Sequence, residues 1–465
     1  MAARMRRTSF ALVAGALAAS TARADVKDYD WTLYDNGFGG GALTPFTMTI
    51  NGGNAGFGGS TEYRAQVCVA GRVALAGTYQ SVDTGAYDHV YYSVNGVKTI
   101  IATNANQGPF TAEFAVRAGD TFALGVTTTD GQGGPGKATI GPVVPIAELD
   151  FSSFLTWTHS QSPAGVGGAA LLPPQVMKVV GGNSGVAGFS HVHTQTQMDM
   201  VVTAKGAYSS VDEEDFDQGY VYTQAPGSPP LYASFIDNAT QGAFTRAFNV
   251  TGRQKFGLGV FTADGAFGPG VLTVHSLKAR ATAGHIPNFG WVLDDTAQGG
   301  GGVFGEEMVV VGGDAGEPGY TEFTVESLFD FCVKAELDYY SEDEGEYDAA
   351  YFIVNGTTGL VATNATQGVK QVEFSLQKGD VFGFGVATAD GQAGPGELIV
   401  TRFRAFPEQP CYPDCTGDGV RTVADFGCFQ TRFTLGVAYG DCNADGQFTV
   451  SDFGCFQSKF VIGCP

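Results

Sequence analysis

YQSVDTGAYDHVYYSVNG (residues 79–96) returns as YYSEDEGEYDAAYFIVNG (339–356) and, more loosely, as YSSVDEEDFDQGYVYTQ (208–224). The aligned aspartates Asp83, Asp212 and Asp343 stand 129 and 131 residues apart. Further along each copy come ATNANQG (102–108), IDNATQG (236–242) and ATNATQG (362–368). Each closes on TTDGQGGPGKATI (128–140), TADGAFGPGVLTV (262–274) or TADGQAGPGELIV (388–400), and each starts near Trp31, Trp157 or Trp291. The period is too long for a solenoid repeat or a propeller blade, so each copy is expected to be a complete domain. The repeats fall at 25–146, 147–283 and 284–406, followed by a linker at 407–410 and a tail at 411–465.

Inside a copy the pattern is β. VYYSVNGVKTIIATN (90–104) holds two alternating runs around Asn95-Gly96, the strongest short hairpin signal, and Asn355-Gly356 repeats it. AEFAVRAGDTFALGVTT (112–128) reads as a second hairpin, with Phe114 and Val116 before its turn and Phe122, Leu124 and Val126 after it. The expected fold is mainly β, three tandem antiparallel β-sandwich or jelly-roll domains plus a small α-helical module.

The chain carries 68 glycines, 35 phenylalanines and a formal charge of −22, which becomes −26 without the four arginines of residues 1–24. Such a surface excludes nucleic acid, whose phosphates need Lys and Arg, and favours divalent cations. Residues 1–24 have a basic start, a short apolar run and Ala22-Arg23-Ala24, a secretory signal peptide pattern that implies export from a bacterial cell. No later stretch is long and apolar enough for a transmembrane segment. Cys411, Cys415, Cys428, Cys442, Cys455 and Cys464 crowd into the tail as a disulfide framework with fifteen allowed pairings. Cys68 and Cys332 stand in apolar segments and read as buried free thiols.

Three acids recur in each copy: Asp83, Asp88 and Asp130; Asp212, Asp217 and Asp264; Asp343, Asp348 and Asp390. Sandwich loops cluster at the ends of the sheets, so these acids are candidates for further calcium sites, against a role in turn chemistry. The aromatic-Asp pair followed by Asp-Gly resembles the calcium-binding type of CUB domain. FSLQKGDVFGFGVATAD (374–390) resembles a bacterial secreted β-sandwich unit.

The tail carries its own repeat, DCTGDGVRTVADFGCFQTRF (414–433) and DCNADGQFTVSDFGCFQSKF (441–460), offset by 27 residues. Each contains a twelve-residue calcium loop with oxygens at positions 1, 3, 5, 7, 9 and 12. The first supplies Asp414, Thr416, Asp418, Val420, Thr422 and Asp425; the second Asp441, Asn443, Asp445, Gln447, Thr449 and Asp452. Two Ca2+ ions are expected. Phe426, Phe429 and Phe433, like Phe453, Phe456 and Phe460, form one stripe of a short helix after each loop.

Duplicated loop–helix units with Asp at position 12, the repeated DFGCFQ and the closing GCP resemble the GC-type dockerin of secreted bacterial proteins. The resemblance implies anchoring to a cell surface or a protein partner, a cohesin in cellulosomal relatives. Positions 10 and 11, where those dockerins carry small hydroxyl residues, are here Val423-Ala424 and Val450-Ser451.

No frame of nucleophile, acid and base recurs, so a non-catalytic anchored protein is the reading favoured by sequence. The alternatives are polysaccharide-binding sandwiches, for which Tyr91, Tyr92, Tyr220, Tyr222 and Tyr351 are candidates for an exposed row, and a secreted glycoside hydrolase. His191 and His193 share a strand face and read as a surface pair rather than metal ligands.

Overall fold

Thirty strands, many of them alternating buried and exposed residues, make up the body in the computed structural model, which describes residues 26, 29–44, 46–83, 87–131, 133–154, 156–163, 167–172, 176–212, 216–263, 268–342, 347–392, 394–407, 415, 422–434, 440, 442 and 448–462. The first unit contains β1 (Thr32–Asp35), β2 (Gly40–Leu43), β3 (Met48–Asn51), β4 (Gly59–Gln66), β5 (Gly71–Gln80), β6 (Asp88–Val94), β7 (Val97–Thr103), β8 (Gly108–Val116), β9 (Thr121–Thr128) and β10 (Lys137–Asp150). They form two antiparallel sheets, β1-β4-β9-β6-β7 and β2-β3-β10-β5-β8. Strands β3 to β10 follow the two-Greek-key order of a jelly roll, with β1 and β2 added at the edges. The second unit (strands from Thr158 to Ala281) and the third (Val292 to Pro407) repeat this order strand for strand. The protein is therefore mainly β, three antiparallel sandwiches with a small helical region at the C-terminal end.

The Asn95-Gly96 hairpin forms as expected, β6 pairing with β7 and both turn residues at positive φ (50° and 80°), which suits the right-handed twist of a two-residue turn. The second expected hairpin does not form. Strand β8 pairs with β5, whereas β9 lies between β4 and β6 in the other sheet. The turn Arg117–Asp120 thus crosses the sandwich, and Phe114 meets Phe122 across the core at 5.8 Å between ring centres. Alternation turns the apolar residues of both strands inward whether the strands pair or face each other, so it cannot separate the two arrangements.

The three units are joined in pairs. Residues Ala147–Asp150 of β10 pair antiparallel with Lys278–Ala281 of the second unit, fusing two sheets into one of ten strands. Between the second and third units Gln197 acts as a two-way clasp, donating from Nε2 to the Glu326 carbonyl (2.7 Å) and accepting from Leu328 N–H (2.8 Å). Phe154 packs edge-on to Phe329. The first and third units meet where Tyr29 stacks on Phe406 and where Cys68 bonds to Cys332, 264 residues away. The free-thiol expectation for this pair is wrong. Both cysteines lie in apolar segments because those segments are an interface.

Helices α1 (Val423–Thr434) and α2 (Val450–Ile462) carry the phenylalanine stripes, and Phe429 stacks on Phe456 at 4.0 Å with both rings fully buried. Each helix opens with a reciprocal cap: Thr422 Oγ1 accepts from Ala424 N–H while Asp425 Oδ2 accepts from Thr422 N–H, and Thr449, Ser451 and Asp452 repeat the arrangement. Disulfides Cys415–Cys428 and Cys442–Cys455 tie each loop to its helix. Three disulfides among the described residues fit an oxidising, extracellular compartment. No described helix is long and apolar enough to cross a membrane.

Candidate binding face

The outer side of the five-stranded sheet in each unit is built on one glycine of its central strand. Gly125 of β9 leaves room for the Tyr91 ring; a Cβ there would lie 2.6 Å from the Tyr91 hydroxyl. Gly259 and Gly385 do the same for Tyr220 and Tyr351. Beside each ring stands a polar partner from the strand on the other side of the central one. Tyr91 donates to Glu62 Oε2, Tyr351 donates to Glu322 Oε2 at 3.0 Å, and the Tyr220 hydroxyl lies 2.9 Å from His191 Nδ1. One scaffold thus presents two chemistries, a tyrosine–glutamate pair in the first and third units and a tyrosine–histidine pair in the second.

In the first unit this face is a groove of about 380 Å³, lined by Tyr34, Asn36, Ser60, Glu62, Arg64, Ser93, Asn95, Lys98 and Thr121 among others. Arg64 pairs with Glu62 and lies 3.9 Å from the Tyr34 ring centre, while Tyr34 as a residue stays 46% exposed. Lys98 Nζ sits 4.0 Å over the Tyr91 ring centre and donates to Ser60 Oγ at 2.9 Å. Burial, seconded by the Arg64 charge, lowers the Lys98 pKa, with Glu62 opposing. Burial and the adjacent Glu62 carboxylate push the Tyr91 phenol well above its usual range.

The second unit replaces these charges with rings. His191 stacks on Tyr222 at 4.4 Å, and Phe189, His193, Tyr220 and Tyr232 surround it. His191 is buried, which corrects its reading as one of a surface pair; it lies over Gly259, where the sheet has no side chain. Burial first, then His193 and His159, lowers its pKa from 6.5 to about 4. Because the unfolded imidazole takes a proton near pH 6.5 and the folded one resists until about pH 4, this group makes stability fall as pH drops through that window and level off below it. We expect His191→Gln, which can still bond Tyr220, to flatten the decline in Tm between pH 6.5 and 4, measured by thermal melts across pH.

The expected tyrosine row is not exposed: Tyr91, Tyr220, Tyr222 and Tyr351 are buried beneath neighbouring side chains. Tyr92 points the other way and stacks on Phe114 inside the sandwich at 4.2 Å. The groove's open ring is Tyr34, and Glu62, Arg64 and Lys98 are the residues the sequence reading missed. A signal existed, because GSTEYRAQ (59–66), GFSHVHTQ (188–195) and GYTEFTVE (319–326) align Glu62, His191 and Glu322 in one column.

Of the acid clusters, Asp83 and Asp88 come together around Ser81, and Asp212 and Asp217 around Ser210. Asp348 is held by Ser341 in the same way, and Asp390 is half-buried. Asp264 and Asp343 lie outside the described residues, as do Asp414, Thr416, Asp418, Val420, Asp441, Asn443, Asp445, Gln447, Cys411, Cys464 and the leader. Of the tail's candidate ligands the structure describes Thr422, Asp425, Thr449 and Asp452, and both aspartates are fully buried.

No family model and no curated sequence matches the chain. Among solved structures, the tandem CBM22 domains of Paenibacillus barcinonensis Xyn10C align over 56% of this chain and 96% of theirs at 12% identity and a TM-score of 0.19. Tandem CBM51 modules from Streptococcus pneumoniae align over 55% and 98% at 9% identity (TM-score 0.21). The triple jelly roll of an archaeal virus aligns over 82% and 90% at 9% identity (TM-score 0.21). Nothing those proteins bind or build carries over at such values.

Proposed function

We propose that this is a saccharide-binding protein whose first sandwich takes a sugar in its outer groove, with residues 411–465 as a calcium-dependent, dockerin-like tether. The observation that carries the reading is the groove itself. A pyranose has an apolar C–H face and a rim of hydroxyls, and it is held by an aromatic ring plus side chains that both donate and accept. The half-exposed Tyr34 offers the ring; Asn36, Ser60, Glu62, Arg64, Asn95 and Lys98 offer the rest, in a volume typical of small-ligand sites. Glycoside cleavage needs two carboxylates flanking the bond, and Glu62 is the single carboxylate among the described lining residues. That favours binding over hydrolysis.

Support for the tether is the pair of buried carboxylates, Asp425 and Asp452, at the mouths of the two loops. Each already accepts a backbone N–H, Asp425 from Thr422 and Asp452 from Thr449, and each stands at position 12 of its loop, where a calcium loop places a carboxylate. The two loops would supply the oxygen ligands named above to two calcium ions, whose binding would order the loops ahead of α1 and α2.

The test is a glycan array followed by calorimetry on the full chain. Tyr34→Ala is expected to weaken the best hit about tenfold, equivalent to ~1.4 kcal/mol. An array without hits, or a hit insensitive to both Tyr34→Ala and Lys98→Ala, overturns the reading. Release of reducing ends from the bound polysaccharide would move the protein to the glycoside hydrolases.

A further inference from the structure

Strand register makes the outer faces of the three sandwiches comparable position by position. Arg64 stands opposite Thr32, His193 opposite Thr158, and Thr324 opposite Val292. On the neighbouring hairpin Lys98 faces Ser93, Tyr232 faces Tyr222, and Thr358 faces Ile353. Tyr34, Glu62, Arg64 and Lys98 therefore correspond to Ser160, His191, His193 and Tyr232 in the second unit. In the third they correspond to Asp294, Glu322, Thr324 and Thr358, where Asp294 accepts from the Tyr320 hydroxyl at 3.3 Å. The third unit keeps the buried tyrosine and its glutamate with no lysine or arginine at these positions, so the scaffold does not require Arg64 and Lys98.

In the first groove the two cations face a single carboxylate, and that carboxylate is already engaged. Glu62 is 5% exposed; its Oε1 accepts from Arg64 and its Oε2 from Tyr91. Asp120, beside the turn residue Asn95, accepts from Asn95 Nδ2 at 2.7 Å and from Arg117 N–H at 2.8 Å. Lys98 is exposed, yet its Nζ is fixed over the Tyr91 ring and donates to Ser60 Oγ (2.9 Å) and Thr127 Oγ1 (3.3 Å). Among the described residues it has no ion pair, and Arg64 spends Nε and Nη2 on Glu62 while Nη1 donates to none.

A neutral sugar needs no positive charge, whereas two held cations in a groove focus a field that draws an anion. We infer that the first groove selects an acidic saccharide, a hexuronate whose carboxylate is bound by Lys98 Nζ and Arg64 Nη1. The planar guanidinium suits a planar carboxylate, and a hydrogen bond between two ionised groups is stronger than one between neutral groups. Selection must be local, because a chain of formal charge −22 repels acidic polymers elsewhere. This specificity rests on the groove being a saccharide site.

The experiment is calorimetry on the full chain with oligosaccharides of galacturonate, glucuronate and mannuronate, each beside its methyl ester. At least one acid is expected to bind at least tenfold more tightly than its ester, with affinity falling as salt rises. Lys98→Gln is expected to erase that difference and Lys98→Arg to keep it. Circular dichroism checks that both variants fold, and loss of the difference in a folded Lys98→Arg as well would assign it to shape and overturn the charge argument. Equal affinity for acid and ester, or binding confined to neutral or sulfated saccharides, overturns the uronate specificity; if that binding is still weakened by Tyr34→Ala, the groove remains a saccharide site. Absence of any saccharide binding overturns both.

Discussion

Serine at both Cys68 and Cys332 is expected to lower the unfolding free energy of the three-sandwich body by about 5 kcal/mol, near the upper limit for a single disulfide. The size follows from the loop the bond closes. Its ends are 264 residues apart, and the entropy removed from the unfolded chain grows with the logarithm of that span. The bond also joins the two sandwiches that are farthest apart in sequence. Without it, the first and third units keep the Tyr29–Phe406 stack, whereas the first and second keep a shared sheet. Denaturant unfolding of the double variant against the parent measures the loss. Cleavage of the first unit from the third by limited proteolysis would locate it. An unchanged midpoint would mean that the interface holds without its covalent link.

Phe429→Ala is expected to unfold the tail while leaving the sandwiches intact. The described tail core consists of Phe429, Cys442 and Phe456, with Phe426, Phe433, Phe453, Cys455 and Phe460 packed around it. Removing a buried phenylalanine costs about 3–5 kcal/mol, as much as a core of this size supplies in total. The cores of the sandwiches share no residue with the tail's. The helical signal should disappear from circular dichroism, and protease should trim the chain back to the sandwiches. Cys415–Cys428 and Cys442–Cys455 would limit the unfolded tail's freedom without replacing the lost stack.

The candidate site was only partly legible in the sequence. Tyr91 and Tyr92 are adjacent on β6, so alternation guarantees that one faces the core and one faces out, but both faces of the strand carry aromatic residues and the pattern does not say which is which. The partners decide it. Phe114 receives Tyr92, and Glu62 with Gly125 receives Tyr91. Glu62 lies 29 residues from Tyr91 and looks, in sequence, like any outward acid on a strand.

What the amino-acid sequence determined alone is whatever repeats or alternates over a short span: three equivalent β units, the Asn-Gly hairpins and the helical phenylalanine stripes. These depend on local backbone preference and on the side-chain period, both of which act between near neighbours. The crossing of Arg117–Asp120 between sheets, the Cys68–Cys332 bond, the merging of two sheets along β10 and the groove around Tyr34 were decided by tertiary structure. Each is a meeting of residues distant along the chain, and each took its form from which faces the sandwiches bury against one another.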